Sequence, residues 1–195
     1  MIQVKYKTGS AREEIATAQI RFLVSRLRAS SYIEDMVSHG DLLRQVQDLA
    51  AKASETKALM QRISDYLHLV MPRYNSISFR LIDEANPGVL VLGPYTGSIT
   101  PQLRVAVGQG LCGTAAATGQ TVVVNNVAGD SRYLRASSLV KAEIVVPIFV
   151  RGQFTAEIDV QSYFLDAFQD PNDRAFLESC ANVVGKFMEA RAQKA

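Results

Sequence analysis

Residues 143–162 read EIVVPIFVRGQFTAEIDVQS, and their spacing decides the class of fold. Two apolar runs, EIVVPIFV and FTAEIDVQS, flank Arg151-Gly152-Gln153, so a tight turn joins two antiparallel strands. In the second run Ile158 and Val160 alternate with Glu157, Asp159 and Gln161. A strand sends successive side chains to opposite faces, so the apolar pair meets a core and the three polar residues share the other face.

The same period of two recurs upstream, where Ile77, Phe79 and Leu81 alternate with Ser78 and Arg80. Asn86, Pro87 and Gly88 read as a turn leading into VLVLGPY, while RVAV and VVVNNV add short strands. About six strands emerge in a meandering order, which predicts a largely antiparallel sheet. Between the third and fourth strands, GLCGTAAATGQ predicts a short helix closed by Gly119.

Helices bracket the strands. Ile20, Leu23, Val24 and Leu27 mark an amphipathic helix within residues 11–30, and a second follows Gly40-Asp41 with Leu42, Leu43, Val46 and Leu49 on one side. A third is predicted from Ser54 as N-cap to a stop at Pro72, with a hinge between Ala29 and Gly40. The last has Asp170 as N-cap, Pro171 in its first turn and Phe176, Leu177, Cys180, Val184 and Phe187 along one face, finishing near Arg191.

Length and charge bound the function. The 195 residues suit one domain with an appendage: a helical extension over 1–53, for dimerisation or partner contact, and a core domain over 54–195. A net charge of +2 without a run of like charges excludes a polybasic nucleic-acid arm, and no helix-turn-helix or zinc-finger signature is present. Two cysteines do not form a secreted disulfide framework, and MIQVKYKTGS lacks the apolar stretch of a signal peptide. The expectation is a cytoplasmic chain that uses neither membrane nor nucleic acid, since EIVVPIFV, its longest apolar patch, is far below the ~20 residues of a membrane span.

LGPYTGSI, RVAVGQGLCGTAAATGQTVVVNNV, EIVVPIFVRGQ and EIDVQS together resemble the GAF domain family over about Leu59 to Met188. GxGLCGxA with the later EIVVP is similar to the stand-alone branch that contains the free methionine-(R)-sulfoxide reductases. The resemblance implies an α+β fold: a six-stranded antiparallel sheet with helices on one face and a ligand pocket on the other. It also implies a homodimer held through the terminal helices.

The reductases use a cysteine nucleophile and a resolving thiol. Of the family's three motif cysteines this chain keeps Cys112; the nucleophile position falls at Ala136 and the first motif cysteine at Pro101 or Gln102. Glu143 and Asp159 match two acidic residues that hold the substrate amine in the reductases, and a further carboxylate becomes Gln161. The aromatic pair of the first strand becomes Ser76 and Arg80, and an arginine there favours a carboxylate or other anion. Tyr133 sits in a polar loop that reads as a pocket lid.

Each of these residues also has a plainer reading. Glu143 and Asp159 suit surface charge at a strand end, and Arg80 suits a solvated strand position. Cys180 suits core packing, whereas Cys112, at the start of the small helix, suits either close packing beside Gly110 and Gly113 or a helix N-terminus that lowers its pKa. His39 and His68 have no partner at metal-ligand spacing, no GxxxxGK[ST] or GxSxG motif occurs, and no metal or cofactor is implied. The reading is therefore a non-catalytic domain that binds a small molecule such as an amino acid and signals to a separate effector protein. The alternative is a divergent methionine sulfoxide reductase working through Cys112.

Overall fold

The computed structural model describes residues 38–98, 101–135 and 137–193, which form a compact unit beginning at Ser38. The helix expected within residues 11–30 lies outside them. Six strands run β1 (Ser76–Asp83), β2 (Asn86–Gly97), β3 (Arg104–Ala106), β4 (Val122–Val124), β5 (Ala142–Val150) and β6 (Gln153–Ser162). They form one sheet in the order β3-β2-β1-β6-β5-β4, with every neighbouring pair antiparallel. The first long strand therefore pairs with the last at the centre.

Four α-helices complete the fold: α1 (His39–Lys52), α2 (Thr56–Val70), α3 (Gly110–Thr118) and α4 (Pro171–Ala192). Leu42 and Val46 of α1, Leu59, Ile63 and Leu67 of α2, and Leu177, Cys180 and Val184 of α4 pack on Ile77, Phe79, Ile144, Ile148, Ile158 and Val160. Burying each large aliphatic side chain contributes about 1.5–3 kcal/mol, so this layer is the main source of stability. Gly185 lets α4 lie close on β5, since a Cβ there would fall 2.4 Å from the Phe149 carbonyl oxygen.

Small departures from the sequence expectations have local causes. The β1–β2 turn is Glu84-Ala85 rather than Asn86-Pro87-Gly88, because the Asp83 carboxylate accepts from the Ala85 amide at 3.0 Å and Asn86 already pairs with Asp83. Helix α2 is capped at Glu55 instead of Ser54, with no side-chain bond. Helix α1 shares the core with α2 and α4, so a division at residues 53 and 54 does not separate it from the domain. Arg151 and Gly152, with φ of 53° and 77°, make the left-handed turn that the β5–β6 hairpin requires.

Candidate functional site

The face of the sheet opposite the long helices carries polar residues, and α3 with the loop after β4 covers it. Cross-strand register sets the rows: Ser76 opposes Gln161 and Gln161 opposes Glu143, Ser78 opposes Asp159, and Arg80 opposes Glu157. Alternation along β1, β5 and β6 thus brings these side chains onto one floor. A second apolar cluster of Leu90, Val105, Leu111, Val122, Val124 and Val145 surrounds them.

The floor is not solvated. Arg80 is 3% exposed, Glu143 4%, Asp159 2% and Glu157 fully buried, which overturns the readings of surface charge and solvated strand. Helix α3 and Leu134 of the lid supply the cover. A Cβ on Gly110 would lie 2.7 Å from Leu134 Cδ1, so glycine is what allows the lid to close on α3. The half-open cavity beneath this cover has about 30 Å³, room for roughly two or three waters. Arg80, Cys112, Tyr133, Glu143, Asp159 and Gln161 all line it, so the whole sequence-derived set converges.

Each charged group has few partners. Arg80 donates from a terminal guanidinium nitrogen to the Gln102 carbonyl at 2.7 Å and lies 3.8 Å from Asp159 Oδ2 through Nε. Ser78 donates to the same Asp159 oxygen at 3.2 Å, and the Gln161 amide donates to Glu143 at 3.3 Å. Among the described residues, beyond the Cys112 thiol that lies beside both, neither Asp159 Oδ1 nor the Glu157 carboxyl has a hydrogen-bond partner. The Tyr133 hydroxyl donates to the Ser137 carbonyl at 3.5 Å, within the lid.

Burial and mutual repulsion set the protonation. Glu143 is pushed well above the carboxylate range by burial and then by Asp159, and Glu157 likewise. Asp159 is raised by burial but held down by Arg80 and Ser78. Burial, Asp159, Glu157 and Glu143 push the Cys112 thiol far up, so of its two readings close packing beside Gly110 and Gly113 fits and activation by the helix N-terminus does not. Cys180 lies in the core on the opposite face, its thiol pushed up to about 12 by burial.

Within the converged set, Cys112, Glu143 and Asp159 bring a sulfur and two carboxylates within 4.8 Å of one another. A guanidinium already lies against Asp159 and the thiol keeps its proton, so the arrangement suits a hydrogen-bonding cation better than a bare metal ion. The histidines stand apart from it: His39 pairs with Asp173 at 3.3 Å, and His68 bonds the Tyr74 carbonyl. Sequence reasoning had placed Glu157 on this face without making it a site residue, although the parity of β6 contains the signal. Leu134 and the Gln102 carbonyl were missed, because irregular loops have no period to read.

The chain belongs to the GAF domain family, whose model matches residues 41–187. Among its relatives, it is 28% identical to the free methionine-R-sulfoxide reductase of Escherichia coli, over 74% of this chain and 86% of that one. It is 30% identical, with a TM-score of 0.75, to the structure of the free methionine-R-sulfoxide reductase from Neisseria meningitidis in complex with its substrate, covering 80% of this chain and 92% of that chain. The reduced reductase of Staphylococcus aureus gives 27% identity and a TM-score of 0.72, covering 77% and 95%.

Proposed function

We propose that this GAF domain is a non-catalytic receptor for a small zwitterionic metabolite, an amino acid or close relative, held between the sheet and the lid. The observation that carries this reading is the charge of the floor: three buried carboxyl groups face one guanidinium, and acceptor oxygens go unpaired. A ligand ammonium supplies both the missing positive charge and the missing donors. Asp159 and Glu143 receive it, and Arg80 turns toward the ligand's acid. The cavity of about 30 Å³ is too small for an amino acid, so binding requires the lid to lift at Tyr133 and Leu134 and close again. Helices α1 and α4, packed on the far face of the same strands, pass the change to a second copy or an effector.

Against catalysis stand the protonated state of Cys112 and the distance in the fold to Cys180 across the sheet. Sulfoxide reduction needs a thiolate nucleophile and a thiol to resolve the sulfenic acid. The second reading, a reductase that works through Cys112 with an external thiol, is favoured by the place of that sulfur in the cavity wall and by the names of the relatives. A thiol-coupled turnover assay on free methionine sulfoxide separates the two. We expect no turnover; turnover that disappears in Cys112→Ser would establish the reductase.

A further inference from the structure

Glu143, Asp159 and Arg80 line a cavity that holds two or three waters, and the Glu157 carboxyl is buried on the same side of the sheet. Ionising all three carboxyl groups leaves two uncompensated negative charges inside a covered sheet face, where water cannot screen them. Arg80 balances one. It lies against Asp159, so Asp159 is the ionised member. Glu143 borders the cavity from β5, across β6 from Arg80's strand, and its one partner among the described residues is the neutral Gln161 amide. The groups facing it from the other packed elements are Asp159 and Glu157 on β6, Cys112 on α3, Tyr133 in the lid and Arg80 on β1, whose guanidinium lies against Asp159 and offsets only part of what burial and Asp159 impose on Glu143.

We propose that Glu143 is protonated in the empty site and releases that proton when a ligand ammonium binds, so that the domain takes up its ligand by cation-for-proton exchange. This rests on the ligand reading above and adds its regulation. The exchange balances in atoms: a neutral carboxyl becomes a carboxylate, one proton leaves to solvent, the ligand's acid takes up Arg80, and Asp159 and Glu143 share the incoming ammonium. Affinity then depends on pH. In the range where free Glu143 holds its proton and the ligand amine keeps its own, each unit of rising pH strengthens binding up to tenfold. The domain would report its metabolite more sensitively in alkaline than in acid surroundings.

Stability of the empty domain carries the opposite sign. A carboxyl raised in the folded state contributes stability that is complete below the ordinary carboxylate range and is lost as pH rises through the folded value. Glu143→Gln, which copies the protonated form, is therefore expected to melt at least as high as the parent at neutral pH, with the gap widening toward alkaline pH. Infrared spectroscopy of the ligand-free protein at neutral pH tests the protonation directly. A carbonyl stretch of a buried protonated carboxyl, diminished in Glu143→Gln, is the expected result; an unchanged spectrum in that range overturns the proposal. Titration calorimetry with free methionine sulfoxide in two buffers of different ionisation enthalpy tests the exchange. Release of about one proton in the parent and none in Glu143→Gln supports it, and binding without release overturns it. If methionine sulfoxide fails to bind, the infrared result still decides the state of Glu143, and the ligand reading falls separately.

Discussion

Arg80 sets the electrostatic balance of the polar face. It is the cation among the described residues that line the cavity, and the ionised Asp159 beside it supports its positive charge against the penalty of burial. Removing it leaves an uncompensated carboxylate in a covered site. Arg80→Met is expected to cost about 3–5 kcal/mol in urea unfolding at pH 8. The deficit shrinks toward pH 5, because carboxyl groups freed from Arg80 hold their protons more tightly and acid supplies what the guanidinium did. A loss below about 1 kcal/mol at pH 8 contradicts this role. The parity of β1 and β6 was legible in the sequence and put Arg80, Asp159 and Gln161 together. Their burial was not, since a charged residue on a strand face is solvated or enclosed according to what covers it, and the cover comes from α3 and a loop without periodicity.

Among the elements, α3 does the most to shape the site. Its nine residues place Cys112 over the acidic floor, and Gly119 ends it in the left-handed conformation, with φ of 65°. Gly113 allows the close fit: a Cβ there would fall 2.3 Å from the Ala106 carbonyl oxygen and 3.0 Å from the Gly108 nitrogen, both backbone atoms. In an exposed helix Gly→Ala would gain up to about 1 kcal/mol. Here the clash wins, and Gly113→Ala is expected to destabilise by about 1–3 kcal/mol in denaturant unfolding. A stabilised Gly113→Ala would show that α3 has room to move off β3. This helix was readable in full from its alanines and Gly119. The ends of other elements were not, because Asp83 closes its turn through a side-chain bond and α2 begins without a cap, both set by tertiary packing rather than local preference.

At the scale of the whole molecule, one sheet separates a dry helical layer from a polar chamber. Strands β1, β5 and β6 carry core residues on one side and site residues on the other, so a ligand that tightens the floor also tightens the seat of α1 and α4. Hydrogen exchange is expected to slow in α1 as well as in the lid when ligand is added; protection confined to the lid would remove the output role of the helices. The strand count and the largely antiparallel pairing followed from periodicity, and the helical layer on one face from the family resemblance, whereas the small volume of the cavity did not, since it depends on the lid. The central claim is that the chamber receives an ammonium group, and a thermal-shift comparison tests it most directly. Free methionine sulfoxide and a panel of amino acids are set against the same molecules with the amine acetylated. At 100 times Kd a ligand adds about 2.7 kcal/mol, or roughly 5–10 °C for a chain of this length. The account expects a shift of that size with at least one free amine and none with its acetylated form; equal shifts from both, or none across the panel, would contradict it.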